Sequence, residues 1–131
     1  MIDCLIIGDS IAKGVSDVRV DCSAYAVSGI NSKDWNRRFG NKDLTARVLV
    51  ISLGSNDLAG VNTREELEYI RRCARDSDRV LWILPAIKPN IQKIVLQVAD
   101  NYGDDVLELL ELSDDGVHPT GRGYRSIAKQ F

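Results

Sequence analysis

The sequence has a single histidine, His118, and three cysteines without Cys-x-x-Cys spacing, and it lacks long apolar runs, internal repeats and low-complexity segments. One histidine disfavours a metal centre, and an odd number of cysteines disfavours a disulfide scaffold. Cys4, Cys22 and Cys73 lie within apolar stretches. We therefore expect reduced, buried thiols.

Neither sign of charge is in large excess, since the formal net charge is -2. This balance gives no reason to expect nucleic acid or an anionic membrane surface as a partner. The length of 131 residues and a hydrophobic content of 44% are typical of one soluble domain over residues 1–131. The N-terminal apolar run stops at Gly8, too short for a secretory signal or a membrane span. We expect a cytoplasmic protein, with a processed form of a longer precursor as the alternative.

Short apolar runs alternate with amphipathic segments of helix length. Strands are predicted over residues 2–7, 22–27, 47–53, 79–84 and 106–112, the last being the least regular because Glu108 and Glu111 also fit a helix. Near-continuous apolar runs are typical of parallel strands covered on both faces. The alternation predicts an α/β fold with a five-stranded parallel sheet in the order 2-1-3-4-5 and helices on both sides.

Capping and periodicity signals locate the helices. Thr63 and Glu66 have the spacing of a capping box, which predicts that Thr63 caps a helix. Further helices are expected after Ser10 and Ser32, from the region of Pro89, and at the end of the chain, where apolar residues recur at helical spacing.

Ser10 follows the first predicted strand directly, and His118 lies near the other end of the chain. A serine hydroxyl, a histidine and a carboxylate are the parts of a nucleophilic hydrolase, and Asp115 is three residues before His118. Pro119 disfavours helical geometry at His118, so the imidazole should project from an extended turn. The structural alternatives are that Ser10 only caps its helix and that His118 is idle.

Two other polar turns follow predicted strands. Asn56 comes after the third strand, and in the order 2-1-3-4-5 the third strand is next to the first, where ligands bind. Its carboxamide can donate a hydrogen bond to an oxyanion. Gly29, after the second strand, allows close backbone approach and can offer an amide. Ordinary turn formation explains both residues equally well.

Four blocks, in order along the chain, resemble those of the SGNH (GDSL-type) hydrolases. They are Gly8-Asp9-Ser10-Ile11, Gly29, Gly54-Ser55-Asn56-Asp57 and Asp115-Gly116-Val117-His118-Pro119, and Gly123-Tyr124 matches the usual ending of the family. The resemblance spans most of the chain. It implies a flavodoxin-like three-layer α/β/α sandwich and an esterase or acylhydrolase activity.

The resemblance also implies a role for each matching residue. Ser10 would be the nucleophile, His118 the general base and Asp115 its orienting partner. The backbone amides of Ser10 and Gly29 and the carboxamide of Asn56 would form the oxyanion hole. Neither a metal nor an organic cofactor is implied.

The chain departs from the family pattern in two respects. Ile11 stands where the signature usually has leucine, and the connections after the second and third strands are brief. Because the family builds substrate pockets from such connections, we expect a shallow, open site. Such a site favours small-acyl esters, including acetyl-type esters on carbohydrates, over long lipid chains. We expect no nucleic-acid partner and leave the oligomeric state open, with a monomer favoured.

Three competing functions remain at this point. The first is a non-catalytic domain that keeps the fold and binds a glycan or acyl group. The second is a phosphate- or nucleotide-binding protein, which the missing Gly-rich phosphate motifs disfavour. The third is a metal hydrolase built on Asp9, Asp57, Asp115 and His118, which a lone histidine disfavours.

Overall fold

The computed structural model describes residues 1–131 and contains five strands and five helices. The strands are β1 Ile2–Gly8, β2 Ser23–Ala26, β3 Ala46–Ser52, β4 Arg79–Ile83 and β5 Asp105–Leu107. The helices are α1 Ser10–Val18, α2 Ser32–Phe39, α3 Thr63–Cys73, α4 Pro89–Tyr102 and α5 Gly121–Ala128. Strands and helices alternate along the whole chain, from β1 to α5.

All five strands pair in parallel within one sheet of order β2-β1-β3-β4-β5. This confirms the predicted fold class and strand order. β1 lies between β2 and β3, and its last residue, Gly8, is level with Ser52 at the end of β3. The carboxyl ends of β1 and β3 therefore meet at the point where the winding of the sheet reverses, which is where α/β sheets of this order bind ligands.

Helices cover both faces of the sheet. The face that includes Leu5 and Ile7 packs with residues of α2, α3 and α4, while Ile6 packs on the opposite face with α1 and α5. The central strands are apolar at consecutive positions because each side chain is covered, whichever face it points to. Full burial of an isoleucine such as Ile6 or Ile7 stabilises the fold by about 1.5–3 kcal/mol.

The first four predicted strands match the structure to within one residue at each end, whereas the fifth strand and the cap of α3 differ from the prediction. The fifth strand ends at Leu107 rather than at residue 112, because the chain turns away and Leu112 forms an isolated antiparallel bridge with Pro119. The cap of α3 is Asn62, whose side chain accepts a hydrogen bond from the amide of Glu65 at 3.2 Å. Thr63 is therefore the first helical residue, and the predicted capping box is wrong by one position.

The prediction of reduced, buried thiols is wrong. Cys4 of β1 and Cys22, just before β2, form a disulfide, and Cys73 is a free but exposed cysteine. An odd number of cysteines excludes pairing of all three, but it does not exclude one disulfide. The parallel pairing of β1 with β2 brings Cys4 and Cys22 together.

The helices are short. The longest, α4, has 14 residues, and no helix has both the length and the hydropathy needed to cross a bilayer.

Candidate active site

Ser10 is the first residue of α1 and follows the end of β1 after a single residue. The preceding Asp9 caps the helix, because its carboxylate accepts a hydrogen bond from the amide of Ile11 at 3.1 Å. The Ser10 hydroxyl is therefore not needed for capping, contrary to the structural alternative considered for it. Gly8 has φ +138°, and a Cβ there would lie 1.9 Å from the carbonyl oxygen of Ser52. Only glycine allows this close approach of the backbone to β3.

The Ser10 hydroxyl meets His118, which is 108 residues away in the sequence. The distance from Ser10 Oγ to His118 Nε2 is 2.7 Å, and the distance from His118 Nδ1 to Asp115 Oδ2 is also 2.7 Å. An ionised carboxylate can only accept, so Nδ1 carries the proton of the neutral ring and Nε2 accepts from the serine hydroxyl. The structure thus joins three of the predicted site residues in one hydrogen-bonded chain.

Asp115 is fixed by its own turn. Its Oδ1 accepts hydrogen bonds from the amides of His118 at 2.9 Å and Val117 at 2.8 Å, and from the hydroxyl of Ser113 at 2.9 Å. These amides, together with the His118 ring and Ser113, hold the pKa of the Asp115 carboxyl well below its usual range. Asp115 is consequently ionised at neutral pH and suited to orient a histidine that becomes positively charged.

Backbone hydrogen bonds on both sides of the turn hold His118 in place. The amide of Ser113 donates to the carbonyl of His118 at 2.8 Å, and the amide of Thr120 donates to the carbonyl of Glu111 at 2.9 Å. Pro119 is buried between them. The imidazole therefore projects from an internally bonded, non-helical loop, as the proline predicted. Sequence analysis missed Ser113, whose only local signal is a hydroxyl two residues before the carboxylate that it contacts.

Asn56 and Gly29 lie on neighbouring loops at the same edge of the sheet. Asn56 is half-buried, and its Nδ2 donates to the carbonyl of Ile30 at 3.1 Å. A carboxamide has two N–H groups, so one remains for another acceptor. Gly29 is exposed with φ +79°, and open space surrounds the position that a Cβ would occupy. Neither residue is hydrogen-bonded to the chain of Ser10, His118 and Asp115.

The four residues considered for a metal site do not converge. Asp9 Oδ1 accepts from Ile11 and Ser52, while the Asp57 carboxylate accepts from α2 and α3. The one set of three potential metal ligands within mutual reach is Cys4, Asp21 and Cys22, in which the two sulfurs are bonded to each other. Asp9 and Asp57 therefore serve as buried structural carboxylates.

The fold resembles those of several solved structures. A GDSL-like lipase from Bacteroides thetaiotaomicron superposes with a TM-score of 0.70 at 20% identity, over 97% of this chain and 84% of that chain. A member of the lipolytic G-D-S-L family from Veillonella parvula superposes with a TM-score of 0.68 at 17% identity, over 99% of this chain and 96% of that chain. Neither a protein-family model nor a curated protein sequence matches this chain. The parallel sheet, its strand order and its flanking helices give this protein the fold of the SGNH (GDSL-type) hydrolases.

Proposed function

We propose that the protein is a serine esterase that cleaves small-acyl esters through an acyl-enzyme on Ser10. His118 is the general base and Asp115 orients it. The amides of Ser10 and Gly29 and the carboxamide of Asn56 receive the oxyanion. The observation that carries the proposal is the pair of 2.7 Å hydrogen bonds linking Ser10 to His118 and His118 to Asp115.

In the first half of the reaction, the Ser10 oxygen attacks the ester carbonyl carbon while its proton moves to His118 Nε2. A C–O bond to the serine forms, and the carbonyl π electrons move to the oxygen, which becomes the oxyanion. Ser10 is at the N-terminus of α1, where unpaired amides and the helix dipole favour negative charge. Collapse of the intermediate breaks the bond to the alkoxy group, which leaves with the proton held by His118.

In the second half, water attacks the acyl-serine carbonyl and gives a proton to His118 Nε2. Collapse of this intermediate breaks the bond to the serine oxygen, which recovers the proton from His118. The ionised Asp115 stabilises the imidazolium in both halves and does not itself change protonation. Ester hydrolysis is therefore balanced with water as the only co-reactant.

The exposure of the base supports an open site. The side chain of His118 is 40% exposed and that of Asp115 is 49% exposed. A long acyl chain gains affinity by removing apolar surface from water, which requires walls that cover it. An exposed pair suits a small acyl group, including one presented on a larger carbohydrate. The fold shared with a lipase and a lipolytic protein supports an ester as the substrate class.

The test compares wild type with Ser10→Ala on acetylated sugars, short p-nitrophenyl esters, thioesters and lysophospholipids. Ser16→Ala is the matched control, because Ser16 is in the same helix but its hydroxyl donates to the carbonyl of Lys13. We expect turnover of acetyl esters by wild type and the control, and its loss in Ser10→Ala. Full activity of Ser10→Ala would refute the mechanism, and a marked preference for long-chain esters would refute the open site.

A second measurement separates an esterase from a binding domain with the same fold. An organophosphonate probe should add to the Ser10 oxygen, and mass spectrometry should locate the adduct on that residue in wild type and in Ser16→Ala. A protein that only binds an acyl group or a glycan would remain unlabelled.

A further inference from the structure

Asp57 is a buried carboxylate at the centre of the loop that carries Asn56. It is 4% exposed, and its Oδ2 accepts hydrogen bonds from the hydroxyls of Ser32 at 2.6 Å and Thr63 at 2.7 Å. Its Oδ1 accepts from the amide of Ser32 at 2.8 Å. Ser32 begins α2 and Thr63 begins α3, so one side chain joins the starts of two helices.

The backbone of Asp57 is held as well. Its amide donates to the carbonyl of Gly54 at 3.0 Å, which closes the turn containing Asn56. Its carbonyl accepts a hydrogen bond at 2.9 Å from Nζ of Lys88, which directly precedes α4. The side chain and both backbone groups of Asp57 are therefore all engaged, and the turn has little freedom to move.

Three hydrogen bonds link the Asn56 loop to the segment that leads into α2. Two join the Asp57 carboxylate to the amide and hydroxyl of Ser32, and the third joins Asn56 Nδ2 to the carbonyl of Ile30. Gly29 directly precedes Ile30. The same three bonds therefore fix the spacing between the two loops that carry the carboxamide of Asn56 and the amide of Gly29.

We infer that Asp57 is a positioning residue that sets the carboxamide of Asn56, relative to the Gly29 loop, for binding the oxyanion. This inference rests on the proposed function, since it assigns a role within the same site. Hydrogen-bond donors stabilise a transition state only when they are held where charge develops, and a misplacement of about 1 Å can cost roughly 100-fold in rate. Asp57 makes no contact with the reacting groups and acts through its neighbour.

Asp57→Asn is the informative variant, because it keeps the size of the side chain and an oxygen for the Ser32 amide. It replaces the oxygen that accepts from two hydroxyls with an NH2 group that cannot accept. We expect kcat for an acetyl ester to fall about tenfold with KM within about twofold. Asp34→Asn is the matched control. Asp34 is in the first turn of α2, exposed and bonded to Asn31 rather than to the Asn56 loop.

A double-mutant cycle distinguishes positioning from general destabilisation. Asn56→Ala should lower kcat by roughly 100-fold, and adding Asp57→Asn should then lower it no further, because the group that Asp57 positions is gone. If the two losses multiply, or if Asp57→Asn alone leaves kcat unchanged, Asp57 does not act through Asn56. Retained activity in Ser10→Ala instead refutes the proposed function.

A readout that does not depend on activity decides the positioning role in every case. The side-chain 1H–15N signals of Asn56 can be assigned by their loss in Asn56→Ala. In wild type and Asp34→Asn, these signals should show the chemical shift and slow hydrogen exchange of an amide that donates to a carbonyl. In Asp57→Asn, the chemical shift and exchange rate should move toward those of a free side-chain amide. Unchanged Asn56 signals in a folded Asp57→Asn protein would overturn the inference.

Discussion

The fold keeps the Asp9 carboxyl, next to the candidate nucleophile, almost entirely out of water. Asp9 is 1% exposed, its Oδ1 accepts from the amide of Ile11 and the hydroxyl of Ser52 at 3.1 Å each, and its Oδ2 is buried without a partner. Burial raises the pKa of Asp9 from its ordinary 3.8 to about 6, against the opposing effect of the hydrogen bonds. The charged form is therefore better solvated in the unfolded chain than in the folded protein.

The sign of the pH dependence follows from this difference. Between pH 3.8 and 6 the unfolded chain releases the Asp9 proton while the folded protein retains it. The folded state then binds more protons, so stability falls as pH rises through this window. The two pKa values differ by about 2.2 units (6 minus 3.8), which at 1.36 kcal/mol per unit is about 3 kcal/mol of stability lost above pH 7.

Asp9→Asn removes the charge and keeps an oxygen to accept from Ile11 and Ser52. Its NH2 group is buried without a partner, at a cost of about 1–3 kcal/mol that does not change with pH. The test is therefore the difference in unfolding free energy between variant and wild type, measured by urea titration at pH 4 and pH 8. From pH 4 to pH 8, we expect the unfolding free energy of the variant to rise relative to that of wild type by most of this amount, which is about 3 kcal/mol.

The control is Asp43→Asn. Asp43 is exposed, and the amide and side chain of Thr45 lower the pKa of its carboxyl. A lowered pKa contributes stability that is present at high pH and lost as pH falls, so this variant should show no gain at pH 8. If the difference in unfolding free energy between wild type and Asp9→Asn is the same at pH 4 and pH 8, Asp9 does not titrate as its burial requires.

Three further predictions concern the disulfide and the candidate base. Cys22→Ser should lower the unfolding free energy by about 3 kcal/mol, because the bond to Cys4 closes a loop with a sequence separation of 18; urea titration should show no such loss for Cys73→Ser, and equal stability of all three proteins would contradict the pairing. Asp115→Asn should lower kcat by about 10²–10⁴, since an amide no longer fixes the His118 tautomer, and steady-state kinetics showing wild-type turnover would exclude the orienting role. Because Nε2 must be unprotonated to accept the Ser10 proton, kcat/KM should fall as the solution is acidified. Asp115 keeps its charge there, because its hydrogen bonds hold the pKa of its carboxyl well below the usual range; a pH-independent kcat/KM with chemistry rate-limiting would argue against a histidine base.

The sheet, its strand order and the turn at His118 could be predicted from local sequence patterns. The apolar runs of β1, β3 and β4 are continuous and of strand length, which is typical of strands covered on both faces, and that cover requires the helices between them. The order 2-1-3-4-5 was predicted because it is the commonest order for five-stranded sheets of this kind. Pro119 correctly indicated a non-helical turn at His118, because the pyrrolidine ring restricts the residue before it.

Where the sequence-based predictions were wrong, a specific contact in the folded protein had overridden a local pattern. Thr63 looks like a helix cap, but its hydroxyl donates to Asp57, six residues earlier, and Asn62 caps the helix instead. Residues 108–112 were predicted to continue the fifth strand, but the chain leaves the sheet after Leu107, and Leu112 pairs with Pro119 instead. Local propensity cannot weigh either competitor, because each is a specific contact that exists only once the surrounding loops have folded.

The sequence alone determined which chemical groups this protein carries, and at which ends of which strands they lie. It could place Ser10 after the first strand and His118 beyond the last, because strand ends are marked by local apolar runs and glycines. Only the tertiary structure decided that two residues 108 positions apart bring Oγ to 2.7 Å from Nε2, and that Cys4 pairs with Cys22. Such distances depend on how the strands pair across the sheet, and that pairing is set by the packing of the whole core rather than by any segment within it.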